Sequence, residues 1–225
     1  MSTQGLLPLK GPRRPTLSNF ISGENDALIE TLREGLEPGG WTFLAGPPGS
    51  GRSHLLSAVL SERLKAGEAA TFVALCTRSQ RALLEQASGD WVILDDIDAL
   101  AGSADDEMLL FNALNRWRVD QTGVLMSGAG RDRFELPDLR SRLGQATRLT
   151  LKRLDETDLR LLIEQLAEEY EVVLGRGAAD YLLSRTARNS AAIARLIETL
   201  AGRALSERRT ISVPLIREEI RRDPV

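Results

Sequence analysis

The segment Gly46-Pro47-Pro48-Gly49-Ser50-Gly51-Arg52-Ser53 has the residue types and spacing to hold phosphate. Its glycines let successive backbone N–H groups converge on phosphate oxygens. A helix beginning where the loop ends would aim its positive dipole end at the same anion. The spacing is that of the G-x-x-x-x-G-K-[ST] loop, with Arg52 in the place of the usual lysine. Lysine offers a compact point charge, whereas arginine brings a planar fork that prefers bidentate partners. Nucleotide binding is therefore expected to survive, and fast hydrolysis is less secure. Ser53 would present its hydroxyl to Mg²⁺, and His54 is expected to act as structural support rather than as a general base.

Two further segments carry chemistry. Val92-Ile93-Leu94-Asp95-Asp96-Ile97-Asp98 is an apolar run that delivers acids at its end, about 45 residues past the loop. Asp95 is placed to orient Mg²⁺ through its water shell, and Asp96 to polarise an attacking water. Asp98 is read as a helix cap or a solvated loop acid. Leu136-Pro137-Asp138-Leu139-Arg140-Ser141-Arg142-Leu143 has two readings. One is a polar loop with surface arginines. The other is an arginine finger, an exposed guanidinium that stabilises phosphoryl charge in this or a neighbouring molecule.

Positioning these residues requires a sheet with helical crossovers. The apolar runs predict strands at 41–45, 70–75, 91–94, 123–127 and 147–151. Helical spacing predicts helices at 24–36, 53–66, 79–87 and 105–119, and strands alternating with helices imply a parallel sheet. After Leu151 the strand signal stops. Asp155 is placed to cap a helix through Tyr170, and helices follow at 178–186, 190–206 and 214–221. Three prolines and two glycines in residues 1–15 read as a tail. The expected organisation is thus a tail at 1–15, an α/β nucleotide-binding domain at 16–151 and a small all-helical domain at 152–225. Trp41, Trp91 and Trp117 are expected in the core, as is Cys76 at the end of its strand.

Composition narrows the function classes. Of 225 residues, 42% are apolar and 27% charged, which is ordinary for a folded domain. Lys and Arg number 29 against 32 Asp and Glu, a net charge of −3, so nonspecific nucleic-acid binding is not expected. One Cys and one His exclude an intrachain disulfide framework and a zinc cluster. No apolar run approaches the ~18 residues of a membrane span, and no charged-then-apolar leader opens the chain. A reducing cytoplasm is the expected location. Arg203, Arg208, Arg209, Arg217, Arg221 and Arg222 make a locally basic end, read as a solvated helix face.

The chain resembles the DnaA group of AAA+ proteins. The residues that carry the resemblance are Gly51-Arg52-Ser53-His54-Leu55-Leu56, Asp95-Asp96-Ile97, Leu100-Ala101-Gly102, and Leu136-Pro137-Asp138-Leu139 with Ser141-Arg142-Leu143. Within that group it is most similar to the short, Hda-like branch that inactivates the replication initiator. The similarity runs from Thr16 to about Arg221. It implies an AAA+ P-loop fold, a five-stranded parallel sheet flanked by helices, with a helical C-terminal lid and no further helix-turn-helix domain. ADP or ATP would be held by Phe20, Gly46, Pro48, Gly49, Ser50, Gly51, Arg52, Ser53 and His54, with Phe20 in the entry segment beside the adenine. Mg²⁺ would rest on Ser53 and Asp95, and the catalytic residues would be Asp96 and Arg142.

The resemblance also gives the tail a role. Gln4-Gly5-Leu6-Leu7-Pro8-Leu9 resembles a hexapeptide that docks on the DNA polymerase sliding clamp; Gln4, Leu7, Pro8 and Leu9 match, Gly5 does not, and Leu6 adds an apolar contact. The implied partners are the clamp and DnaA, with a homo-oligomer allowed and no sequence-specific DNA contact. The implied action is trans: a nucleotide-bound, ADP form docks on the clamp, and Arg142 promotes hydrolysis of ATP held by DnaA. Ala129 stands where the family carries an acid after its fourth strand, and Ala191 where it carries a lid arginine, with Arg188 and Arg195 nearby. Slow intrinsic turnover is therefore expected. Three other readings compete: an autonomous AAA+ ATPase that remodels or loads a replication protein, an adaptor with a vestigial nucleotide site, and a sequence-specific DNA binder.

Overall fold

Apolar residues at alternate positions along the strands face two separate helical layers. In the computed structural model, which describes residues 14–186 and 189–222, the strands are β1 (Trp41–Ala45), β2 (Ala70–Ala74), β3 (Trp91–Asp95), β4 (Gly123–Gly128) and β5 (Thr147–Thr150). All pair in parallel, in the order β2-β3-β4-β1-β5. Phe43, Val92, Leu94, Val124 and Met126 point to one face, against Leu110, Leu114 and Trp117 of α3 (Ala104–Val119) and Leu139 and Leu143 of α4 (Pro137–Leu143). Leu44, Trp91, Ile93 and Leu125 point to the other, against α1 (Asp26–Glu34) and α2 (Arg52–Lys65). This period-2 split is why β1, β3 and β4 read as unbroken apolar runs: both faces are covered. Trp41, Trp91 and Trp117 are all buried, as expected.

Three local expectations are corrected. The segment expected as a helix at 79–87 is a 3₁₀ stretch, Arg78–Glu85. Side chains tie it down: Arg81 donates to Leu75 O, Ala99 O and Asp106, while Gln80 Oε1 accepts from Ala74 N–H. The segment with a polar-loop reading, Leu136–Leu143, is the helix α4 with Pro137 at its start, where a missing N–H costs little. Cys76 is exposed rather than in the core. The chain turns after buried Leu75, through a Thr77 N–H to Ala74 O bond of 3.1 Å, so Cys76 falls in the turn.

The chain divides into two compact units, Pro15–Arg153 and a helical unit beginning at Leu154. The helical unit contains α5 (Glu156–Glu169), α6 (Ala178–Arg185), α7 (Ser190–Glu207) and α8 (Val213–Arg222). Asp155 caps α5 through a capping box with Asp158, and Leu159, Ile163, Ile197, Leu200 and Leu215 fill the core. Arg203 is ion-paired to Glu207, Glu218 and Glu219, and Arg209 to Glu207, so part of the basic C-terminal stretch is internally neutralised. No helix among the described residues is long and apolar enough to cross a membrane.

Candidate functional site

The loop Gly46–Gly51 joins β1 to α2, with β4 on one side of β1 and β5 on the other. The strand end that leads into it is held from both sides. Gly46 N–H donates to Gly128 O of β4 (3.1 Å), and Leu151 N–H donates to Ala45 O (2.7 Å). Gly49 (φ +74°) and Gly51 (φ +100°) turn the chain through left-handed conformations that side chains disfavour. Gly51 precedes α2 without a side-chain cap, and the first-turn N–H groups, Arg52's and Ser53's among them, have no intrahelical carbonyl to bond. Ser50 Oγ is buried and unpartnered in this loop. A carbon at Gly46 would come within 2.9 Å of it. Backbone donors at a helix start together with an orphaned hydroxyl fit a phosphate group.

Gly51 also lets Phe20 in. A Cβ there would lie 2.6 Å from Phe20 Cε2, and the Phe20 ring packs on His54 at 5.4 Å between centroids. His54 Nε2 is within hydrogen-bond distance of Thr16 O (3.1 Å) and Asn19 Oδ1 (3.0 Å), so it fastens the entry segment to α2, the structural role expected of it. Gly51→Ala must push Phe20 aside and strain the backbone. It is expected to destabilise the domain by about 1–3 kcal/mol in urea unfolding; an unchanged midpoint would show that the ring yields freely.

The acids enter at the C-terminal end of β3. Asp95 is nearly buried, and its Oδ1 accepts from Ser127 Oγ (2.7 Å) at the end of β4, while Ser127 Oγ in turn accepts from Asp96 N–H (2.9 Å). Asp96 sits at φ +61°, a left-handed conformation for a non-glycine, which swings its side chain out of the strand line. Arg52 closes the group. Its Nη1 donates to Gly46 O (3.0 Å), its Nη2 donates to Asp96 Oδ1 (3.3 Å), and Asp98 Oδ2 lies 3.9 Å away. A single ammonium cannot span these partners, which is a physical reason for arginine here. Burial, against the pull of Arg52 and with Asp98 and Asp95 adding to it, raises the Asp96 carboxyl above its ordinary range.

Asp98 is neither a helix cap nor a solvated acid, which corrects its expected reading. Its Oδ2 accepts from Ala129 N–H (2.6 Å), and its Oδ1 is buried without a partner. The sequence reading also missed Ser127 as a site residue. Its signal was a lone hydroxyl at the end of an otherwise apolar strand, but only the β3–β4 adjacency makes it bridge Asp95 and Asp96.

Of the other expected residues, Pro48 and Ser53 are exposed, in the loop and at the start of α2. Arg142 lies in the last turn of α4, half-buried, and its guanidinium has no hydrogen bond or ion pair among the described residues. The segment leading into α4 is pinned by Glu107 of α3. The Glu107 carboxylate is buried and accepts from Gly102 N–H (2.9 Å), Glu135 N–H (2.9 Å) and Leu136 N–H (2.7 Å). Glu107 was not read as a site residue. Ala191 lies in the first turn of α7, where its N–H donates to the Asn189 cap (2.9 Å). Arg195 is exposed. Gln4, Leu6, Leu7, Pro8 and Leu9, and also Arg188, lie outside the described residues.

Comparison with known proteins follows this geometry. Residues 42–152 match the family of ATPases associated with various cellular activities (AAA), and residues 150–220 match the Hda lid domain. Among solved structures, the chain is similar to AMPPCP-bound DnaA from Aquifex aeolicus, with 24% identity, 87% of this chain and 69% of that one covered, and a TM-score of 0.67. It is similar to domain III of the replication initiation protein DnaA from Thermotoga maritima, with 16% identity, 94% and 95% covered, and a TM-score of 0.74. The RuvB Holliday junction branch migration motor of Thermotoga maritima aligns with 20% identity, 93% and 72% covered, and a TM-score of 0.66. These likenesses show an AAA+ fold with a helical lid.

Proposed function

We propose that this chain, whose residues 42–152 match the AAA family and 150–220 the Hda lid domain, is an Hda-like AAA+ protein and a nucleotide-held regulator of DnaA. It rests with ADP, docks on the DNA polymerase sliding clamp through Gln4, Leu6, Leu7, Pro8 and Leu9, and promotes hydrolysis of DnaA's ATP through Arg142. Initiation of replication is thereby restrained. The observation that carries this reading is the pairing of Arg52 with Gly46 O and Asp96 inside an otherwise well-formed phosphate loop.

The loop's residues support nucleotide holding. Backbone N–H groups at the start of α2 and the Ser50 hydroxyl would receive phosphate oxygens. Among the described residues no cluster of three His, Cys, Asp or Glu side chains is spaced to hold a cation by itself. A magnesium ion would therefore lean on Ser53, Asp95 and the phosphates themselves, supplying charge neutralisation when bound. Phe20, packed on Gly51 and His54, would flank the base. Asp96, with its raised carboxyl, is suited to accept a proton from water. The Arg52 guanidinium beside Asp96 Oδ1 lowers the basicity of that carboxylate, against the burial that raises it. Holding without rapid turnover is the reading proposed for this loop.

Arg142, half-buried in the last turn of α4 and unpaired among the described residues, is the guanidinium offered to the partner's phosphates. The intact Ser127 link between Asp95 and Asp96 favours one second reading, an autonomous AAA+ ATPase that remodels or loads a replication protein.

Two measurements separate the readings. Purified chain is expected to carry ADP and to turn over ATP far more slowly than a median enzyme's rate of about 10 per second. A rate near that value without DnaA supports the autonomous ATPase and overturns the regulator. Deleting residues 1–10 is expected to abolish clamp binding in calorimetry with little change in melting temperature, since a short docking peptide contributes to the interface and not to the core. Unchanged clamp affinity would overturn the tail assignment.

A further inference from the structure

None of the residues lining a cavity of about 330 Å³ belongs to the loop Gly46–Ser53 or to the acids Asp95–Asp98. Phe43 of β1, Leu143 at the end of α4 and Ala146 form its apolar wall, and Arg131, Arg148 and Gly144 complete it, with Asp132 also lining it. Arg148 stands over the Phe43 ring at 5.9 Å, and Gly130 lies beside its guanidinium. Arg131 Nη1 lies so close to Gly144 that a Cβ there would come within 2.1 Å of it. Among the described residues neither guanidinium has an ion pair, although Asp132 is the immediate neighbour of Arg131. Residues 131–148 hold five arginines against three acids in a chain of net charge −3. Arg142 is not part of the lining.

Two guanidiniums against the one carboxylate of Asp132 leave this small cavity net positive, which favours an anion there. The planar fork of arginine matches phosphate oxygens in particular. The volume is at the small end of the ~300–1,000 Å³ range of ligand sites. We propose that this cavity is a phosphate-binding site, separate from the nucleotide loop, that takes a small phosphate ligand: free phosphate or pyrophosphate, or the terminal phosphate of a mononucleotide.

Calorimetric titration of the full chain with inorganic phosphate, pyrophosphate and AMP at low salt tests it. Arg131→Gln combined with Arg148→Gln is expected to weaken phosphate and pyrophosphate binding by about tenfold or more. Gly144→Ala, which displaces the Arg131 head without changing charge, is expected to weaken it in the same direction. With one equivalent of ADP filling the nucleotide loop, Arg153→Gln, exposed and outside the lining, is expected to leave it unchanged. AMP competing with phosphate for this site would assign it to nucleotide phosphate, and phosphate binding without such competition would assign it to free phosphate. The proposal is overturned if the double variant binds phosphate like the parent, if Arg153→Gln weakens binding as much as the double variant does, or if the parent binds neither phosphate nor pyrophosphate at millimolar concentration.

Discussion

Replacing Arg142 with alanine is expected to remove the proposed stimulation of ATP hydrolysis by DnaA while leaving the proposed ADP binding intact. A guanidinium brought to a transferring phosphoryl group is worth about 10³–10⁵ in rate, because it meets negative charge spread over the equatorial oxygens. Arg142 has the properties such a group needs. It is held on a helix rather than a floppy loop, it is partly open to solvent, and it has no partner to give up among the described residues. Its loss should change unfolding by no more than about 0.5 kcal/mol, as for other surface substitutions. Arg140 is the internal control. It sits two residues earlier and donates to Phe134 O (3.4 Å), so Arg140→Ala is expected to retain most of the stimulation. A DnaA ATPase assay with clamp-loaded DNA reads both variants. Equal stimulation by the Arg142→Ala variant and the parent would remove Arg142 from this role.

The second large effect lies one layer behind Arg142. Glu107→Ala is expected to cost about 2 kcal/mol or more in urea unfolding, because it removes a buried carboxylate and the acceptor of the N–H groups of Gly102, Glu135 and Leu136. Burial alone would raise the Glu107 carboxyl, but the N–H groups of Glu135, Leu136 and Gly102 together outweigh it and hold it below its ordinary 4.5. A carboxyl depressed in the folded state adds stability that is complete above about pH 4.5 and is lost as the pH falls through its folded value. The parent should therefore lose stability in acid more steeply than Glu107→Gln, which cannot titrate. Amide exchange gives a local reading: Glu107→Gln should lower protection from Leu136 to Leu143 before it lowers protection in β1 or β3. Parallel acid profiles for parent and Glu107→Gln would show that this carboxylate does not anchor α4.

Short-range pattern accounts for much of what was legible. Spacing of Gly46, Gly49 and Gly51 announced the loop because few other sequences let a backbone turn so tightly before a helix. Apolar runs announced β1, β3 and β4 because both of their faces are covered. Asp155 announced α5 because a capping carboxylate acts within three residues. The short helix α4 was harder. Its buried Leu139 and Leu143 lie four apart, but seven residues rich in charge carry little periodic signal, and their stability comes from α3 and from Glu107.

Local chemistry, then, was written along the chain: which residues prefer helix, strand or tight turn, and which bear charge. Their partners were not. Arg52 meets Asp96 from 44 positions away, Ser127 meets Asp95 from 32, and Asp98 meets Ala129 from 31. Those meetings exist because β4 is inserted between β3 and β1, which gathers three strand ends at one rim. Strand order is settled by how the whole set of apolar faces is buried together, and no local stretch of residues carries that information.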